Sequence, residues 1–371
     1  MRASMAHPAH TITMTAEYED VLITGFPGFV GTRLVRTLVS AQPEQRFALV
    51  VEPRFETLAI EVCEQIQAAD PSFEGRWRVL PGDIREPGLG VATEHANKLR
   101  ETVRHVWHVA AIYDLAVPKE LAEAVNVTGT ERVLDFCASA PNLERLFHTS
   151  SIVVAGDREG HVSEAELDEG QSFRNHYEST KFASEVAVRK RRDSIPTVIF
   201  RPGVVVGDSV TGVTPKADGP YLMVRAALRT PAFLPYAQVG SEVTRMHIVP
   251  VDFLVNAMVH ISAQDSAVGQ TFQVTDTNPM TMHEYVNLTL AALGRKPASQ
   301  TVSKAAVERV LKFKFIQKLA GIPLESLNYV DQDVSFDTSN LRAALGDQLA
   351  CPPLADYWPR LVQWLVRHPE I

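Results

Sequence analysis

Tyr177 and Lys181 stand four residues apart in the stretch 177–191, whose apolar residues recur at helical spacing. On a helix that spacing puts both side chains on one face. A phenol titrates near pH ~10 in water and gives up its proton reluctantly at neutral pH. An ammonium held beside it stabilises the phenolate, so the two together make a usable proton donor or acceptor. The run His148-Thr149-Ser150-Ser151 closes an earlier apolar segment, and the Ser151 hydroxyl can join Tyr177 as a second donor to one carbonyl oxygen. Ser150 or Thr149 could supply that contact instead, and all three could simply cap a turn. A carbonyl polarised by two donors accepts a hydride, which has to come from a carrier.

Thr24-Gly25-Phe26-Pro27-Gly28-Phe29-Val30-Gly31 has the form of a carrier site. This G-x-x-G-x-x-G turn follows a β-branched run and opens into a stretch of helical period, the context in which such a turn binds a dinucleotide. Gly25 permits the tight turn, Gly28 lets backbone approach a pyrophosphate, and Gly31 lets helix and strand pack closely. The free amides of the helix start would face the phosphates. Glu52, about 20 residues beyond the last glycine, can accept hydrogen bonds from an adenosine ribose, which favours NAD. Arg54 could instead meet a 2′-phosphate, so NADP stays open, and the two could be no more than a solvated ion pair. Asp83, in Pro81-Gly82-Asp83-Ile84, is placed to reach the adenine edge.

The elements that must position these groups follow an alternating pattern. Short β-branched runs at 21–24, 47–51, 77–80, 105–109, 145–149 and 197–200 are separated by stretches of helical period at 33–40, 56–69, 119–139 and 177–191. Repeated strand-helix units feed a parallel sheet, and six strands predict an α/β Rossmann fold, doubly wound. Residues 21–205 read as the dinucleotide-binding domain, with a returning segment near 245–275. A mobile tail at 1–20 precedes it, and 206–244 with 276–371 form a smaller substrate-binding portion. Two late amphipathic stretches, 304–319 and 357–366, read as core-covering or subunit-contact helices, or else as a surface for lipid or a carrier partner. A homodimer is one arrangement they would allow. Phe173, Tyr221, Phe233 and Tyr236 are candidates to line a substrate pocket.

Bulk properties narrow the function classes. The 371 residues are 45% hydrophobic and carry a formal net charge of -8, which repels a phosphate backbone on average and argues against nucleic acid. No apolar run reaches the roughly 20 residues that a membrane-spanning helix needs. Cys63, Cys137 and Cys351 lie far apart, so neither a disulfide framework nor a thiolate metal site is expected, and a cytoplasmic setting fits. The histidines lack paired ligand spacing, and His247 and His283 read as packing or hydrogen-bonding residues. The residues around Ser151 do not form the G-x-S-x-G elbow of a hydrolase.

Taken in order, the glycine turn, Gly82-Asp83, His108-Val109-Ala110-Ala111, Asn126-Val127-Thr128-Gly129-Thr130, Thr149-Ser150-Ser151, Tyr177 to Lys181 and Arg201-Pro202-Gly203 resemble the extended short-chain dehydrogenase/reductase family. The resemblance covers roughly 21–259. It implies that Ser151, Tyr177 and Lys181 are catalytic, that Lys181 also holds the nicotinamide ribose, and that Gly203, Val204 and Val205, after Pro202, flank the nicotinamide. It further implies cofactor contacts from Gly25 to Val30 (Gly25, Phe26, Pro27, Gly28, Phe29, Val30), from Glu52 and Arg54, from Asp83 and Ile84, and from Ala110 and Ala111. Asn126 stands as the equivalent of the family's asparagine. Residues 82–90 and 201–212 are similar to signatures of fatty acyl reductases and thioester-reductase domains, which implies a small-molecule substrate of acyl or lipid-like character. Glu52 departs from those reductases, which often carry a basic residue there and prefer NADP. Phe336-Asp337-Thr338-Ser339-Asn340 is similar to a segment of sugar-nucleotide enzymes. The resemblance therefore leaves three readings: an NAD(P)-dependent reductase of a carbonyl, an epimerase or dehydratase that retains NAD, and a cofactor-sensing scaffold.

Overall fold

The computed structural model describes residues 19–113, 117–231, 235–239, 243–313 and 324–371, with side chains in the last stretch from 327 onward. Its strands are β1 (Val21–Thr24), β2 (Phe47–Val51), β3 (Trp77–Pro81), β4 (His105–His108), β5 (Arg145–Thr149), β6 (Gly160–Val162), β7 (Thr197–Pro202), β8 (Val204–Val206), β9 (Ala237–Val239), β10 (Ile248–Pro250) and β11 (Thr271–Val274), followed by Gln300–Val302 and Val334–Phe336. Seven of them form one parallel sheet in the order β3-β2-β1-β4-β5-β7-β11. The six strands expected from the sequence are thus joined by a seventh, β11, which reaches the sheet edge beside β7 after a long excursion.

Side-chain alternation explains why this sheet carries helices on both faces. In β1, Val21 and Ile23 enter one core while Leu22 enters the other. In β2, Phe47, Leu49 and Val51 likewise oppose Ala48 and Val50. Strands apolar on both faces must be covered twice. Helices α1 (Phe29–Ala41), α2 (Glu56–Ala69) and, later in the chain, Val251–Ser262 cover the first core. Helices α3 (Thr93–Thr102), α5 (Gly129–Ala138), which follows the short α4 (Lys119–Ala122), and α6 (His176–Lys190) cover the second. A third core belongs to the later part of the chain, where Tyr221, Tyr285, Trp358 and Leu361 pack together.

The expected helix 357–366 lies within Leu354–Arg367, and its apolar face is buried in that third core. Of the stretch 304–319, the described part forms a helix at Lys304–Leu311 with Leu311 buried, and 314–319 lie outside the described residues. The stretch 119–139 is not one α-helix, because a π-turn at Glu123–Thr128 separates α4 from α5. Among the described residues no helix is long and apolar enough to cross a membrane, and no cluster of His, Cys, Asp or Glu could hold a metal ion.

One buried ion pair fixes α6 against the sheet. Glu185 accepts from Arg201 Nη2 at 2.7 Å and from Arg201 Nε at 3.0 Å, and both side chains are essentially without solvent exposure. Arg189 and the Ser150 hydroxyl bond to the same carboxylate at 3.0 and 2.6 Å. Removing one partner of such a pair strands the other charge and costs about 3–5 kcal/mol. Arg201→Met should therefore lower the urea midpoint by that equivalent with little change in slope; an unshifted midpoint would show that the pair carries no such load.

Candidate active site

The dinucleotide cradle sits where β1 and β4 run side by side and the chain leaves them in opposite directions, the crevice in which doubly wound sheets bind ligands. Gly25 turns the chain with φ +89°, and a Cβ there would lie 2.6 Å from the Ala110 amide nitrogen. A Cβ on Gly31 would collide with the Gly25 carbonyl oxygen, and one on Gly28 would lie 2.8 Å from it. No side chain caps the start of α1, and its first turn has no acidic residue. That leaves amides and a partial positive charge directed at the crevice, which suits a pyrophosphate. The cradle that any Cβ would fill, together with this uncapped helix start, fits a dinucleotide. Phe26 is buried in the first core, the Phe26–Pro27 peptide is cis, and Phe29 and Val30 open the helix.

Two acid–arginine pairs lie on the turns after β2 and β3. Arg54 Nε is 2.8 Å from Glu52 Oε2, with the arginine mostly exposed. Arg85 donates to both oxygens of Asp83, with Nε at 2.9 and 3.0 Å. Those hydrogen bonds hold the Asp83 carboxyl below its ordinary range against the opposing effect of burial. Ile84 packs onto α5, where it closes the space above Gly129. Ala111 follows Ala110 in the loop after β4.

Beneath the crevice a hydrogen-bonded chain crosses the sheet. Ala110 N donates to Thr24 Oγ1 at 3.3 Å, Thr24 Oγ1 meets His108 Nδ1 at 2.8 Å, and His108 Nε2 meets Thr130 Oγ1 at 3.0 Å. Thr130 spends its own proton on the Asn126 carbonyl at 2.6 Å. His108 must then donate from Nε2 and accept at Nδ1, the neutral tautomer. Burial supports this by pushing its pKa down to about 3. Asn126 occupies the π-turn. Its side chain accepts from Ile112 N at 2.9 Å and donates to Thr180 Oγ1 at 3.0 Å. The asparagine therefore braces the loop after β4 against α6.

Tyr177, Lys181 and Ser151 come together on the far side of that loop. Asn175 caps α6 by accepting from Glu178 N at 3.0 Å, and the i, i+4 spacing then turns Tyr177 and Lys181 the same way. The Ser151 side chain faces the Tyr177 phenol, and the Tyr113 ring stands edge-on to Tyr177 with centroids 5.0 Å apart. Burial pushes the phenol up to about 12, with Ser151 opposing and the Glu178 charge adding to the rise. Lys181 Nζ donates to the Thr149 carbonyl at 2.7 Å. Burial pushes its pKa down to about 8, with the Glu185 charge opposing. Burial, then, is the largest influence on both groups. Of the three candidate hydroxyls, Ser151 faces Tyr177, Ser150 is committed to Glu185, and Thr149 meets Lys181 through its carbonyl.

Pro202 ends β7, and Gly203 then slips between the His247 backbone and the Thr275 side chain: a Cβ there would lie 2.5 Å from His247 O and 2.7 Å from Thr275 Oγ1. Val204 and Val205 continue into β8, which pairs with β10. Among the pocket candidates, Tyr221 is a core residue stacked on Trp358 at 5.3 Å, with its hydroxyl taken by Gly207 N. Phe173 packs on Phe182 at 4.9 Å, Tyr236 lies partly buried against the third core, and Phe233 lies outside the described residues. His247 packs and bonds, meeting Val334 O at 3.0 Å and the Phe336 ring edge-on. The sequence reading missed Glu185, although it stands eight residues after Tyr177 and therefore on the same helix face.

The fold is an NAD(P)-binding oxidoreductase fold of the extended short-chain dehydrogenase/reductase class. Residues 23–258 match the NAD-binding family described as Male sterility protein, and the chain belongs to that family. It is 26% identical over 272 residues to the non-canonical nonribosomal peptide synthetase cpsA of Aspergillus campestris, a match covering 69% of this chain and 26% of that protein. It is 26% identical over 287 residues to fatty acyl-CoA reductase wat of Drosophila melanogaster, covering 67% and 55%. The chain thus spans only part of the length of these relatives. Its fold is that of the terminal R domain from the myxalamid PKS-NRPS biosynthetic pathway, with a TM-score of 0.81, 23% identity, and 96% and 93% of the two chains covered. The family and fold imply NAD(H) or NADP(H) as cofactor, and the glycine cradle accommodates it. Gly25→Ala should abolish binding of either dinucleotide in a calorimetric titration, since its Cβ meets backbone and its φ is unfavourable; affinity within a few-fold of the parent would contradict the cradle.

Proposed function

We propose that this protein reduces an acyl thioester to an aldehyde, with Tyr177 as proton donor, Ser151 as the second oxygen ligand and Lys181 as the cation that steadies both. The observation that carries this reading is that Ser151 faces Tyr177, while Lys181, one turn along the same helix, reaches the Thr149 carbonyl two residues before Ser151. The names of two relatives, a nonribosomal peptide synthetase and a fatty acyl-CoA reductase, point to acyl groups activated on sulfur.

The substrate carbonyl oxygen accepts hydrogen bonds from Tyr177 and Ser151, which polarise the carbon and hold the negative charge that develops on oxygen. When bound, the nicotinamide supplies the hydride to that carbon. Collapse of the tetrahedral species expels the thiol, so thioester, reduced cofactor and one proton give aldehyde, thiol and oxidised cofactor. Tyr177 supplies the one proton consumed, which ends on the departing sulfur. Lys181, which already reaches across to the Thr149 carbonyl, would hold the nicotinamide ribose and so orient the ring. Residues 21–205, with the returning segment, would hold the cofactor, and 206–244 with 276–371 would seat the acyl chain. A homodimer in the cytoplasm completes this proposal.

Absorbance of NADH and NADPH followed against long-chain acyl thioesters, aldehydes and sugar nucleotides tests the reading. Consumption with thioesters is expected; none with thioesters, but conversion of a sugar nucleotide without net redox, would replace it with an epimerase. Tyr177→Phe should cost about 10²–10⁴ in turnover with cofactor affinity retained, and near-parental turnover would remove the phenol from the chemistry. For cofactor choice, we propose that Glu52 favours NAD. Glu52→Ala should swing the ratio of NADH to NADPH affinity about tenfold towards NADPH, the worth of one hydrogen bond to a charged group. An unmoved ratio would show that Glu52 does not read the ribose.

A further inference from the structure

The segment 329–336 runs as a strap over the two pieces of chain that carry Ser151 and Tyr177. At one end the Tyr329 hydroxyl donates to Glu178 Oε1 at 2.5 Å and accepts from Asn175 Nδ2 at 2.8 Å. Glu178 is fully buried and is the immediate neighbour of Tyr177. Its other oxygen accepts from Arg174 N at 2.8 Å. The Arg174 guanidinium lies 5.2 Å from the centroid of the Tyr329 ring and donates to the Gly156 carbonyl at 2.8 Å.

That carbonyl ends the turn Ile152–Ala155, which Ser151 begins. Gln332, further along the strap, donates to the same Gly156 oxygen at 3.0 Å and to Arg158 O at 2.8 Å. Beyond it Val334–Phe336 pairs with β6, and Thr244 donates to Val330 O at 3.0 Å. The strap therefore bonds on one side to the turn led by Ser151 and on the other to the cap of the helix led by Tyr177.

A buried carboxylate this close to a proton donor is an odd neighbour, since its charge resists formation of a phenolate. Its contacts give it a different employment. We infer that Tyr329 is a positioning residue, which acts through Glu178 and Arg174 to set the separation of the Ser151 and Tyr177 hydroxyls. The inference rests on those two hydroxyls being the oxygen ligands of the reaction. A shift of about 1 Å between two such groups can cost on the order of 10²-fold in rate, so a contact that touches no substrate can still be needed for turnover. Because the strap belongs to the portion proposed to seat the acyl chain, that portion also braces the proton donors.

Tyr329→Phe keeps the ring and its contact with Arg174 and removes the hydroxyl. With a thioester and reduced cofactor, kcat should fall about tenfold, with KM for the thioester and cofactor affinity unchanged. Glu178→Ala should lose at least as much, and the double variant should lose no more than Glu178→Ala, because Tyr329 acts through that carboxylate. Parental kcat in Tyr329→Phe, additive losses in the double variant, or a loss confined to KM would each overturn the inference. Hydrogen exchange provides a readout that does not depend on the reaction. In Tyr329→Phe, amides at 152–158 and 174–180 should exchange several-fold faster while α2 is unaffected. Unchanged exchange there, or acceleration everywhere, would overturn the strap even if no thioester is turned over. Absence of thioester turnover by the parent together with the localised acceleration would instead refute the proposed reaction and leave the strap standing.

Discussion

The geometry of the site depends on a single buried carboxylate, that of Glu185. Glu185 lies eight residues after Tyr177 and four after Lys181, so all three share a face of α6, with Arg189 one turn further on. Burial would raise the Glu185 pKa, but the charges and hydrogen bonds of Arg201, Arg189 and Ser150 outweigh it and keep the group ionised. A charge this deep in the protein is tolerable only in that arrangement. Rotating α6 or sliding it by a residue would leave the carboxylate unpaired. The same constraint that fixes Glu185 thus fixes where Tyr177 and Lys181 point, and through Ser150 it also fixes the segment that presents Ser151.

A second constraint acts from the cofactor side. The chain of bonds through Thr24, His108, Thr130, Asn126 and Thr180 ties β1, β4, the π-turn and α6 together beneath the crevice. Each hydroxyl in it has one proton to give, and the neutral tautomer of His108 is the assignment that leaves no donor facing a donor. The glycine turn on one side and the helix that carries Tyr177 on the other are therefore referred to a common frame of buried polar groups. The Asn126 amide needs the backbone of Ile112 and the hydroxyl of Thr180 at once, and the widened turn at Glu123–Thr128 lets it reach both.

Much of this was legible in the chain because it is local. The glycine turn needs only its own spacing and the strand and helix beside it, and Tyr177 and Lys181 need only the helical period. The alternation of short β-branched runs with stretches of helical period told of a doubly wound parallel sheet. What escaped is set by distance along the chain. Nothing within Thr271–Val274 distinguishes an edge strand of the main sheet from any short apolar run, and its partner β7 lies far upstream. The π-turn follows from what Asn126 meets in space, and a continuous helix was the natural reading of its spacing. Tyr221 looks like a pocket residue in sequence and is a core residue because Trp358, far downstream, stacks on it.

The late arrival of β11 has a bearing on how the chain matures. Until residue 274 has been made, β7 is the outermost strand of the sheet, buried along its whole length in the finished protein and furnished with an unpaired row of amides and carbonyls. The nascent polypeptide must carry this bare edge while everything between β8 and β10 emerges, a window in which edge-to-edge association with another copy competes with completion. The interval between the sixth and seventh strands is in that sense a hazard of biosynthesis, and the long excursion that separates β11 from β7 in the chain is also the route by which the sheet is most readily lost to aggregation.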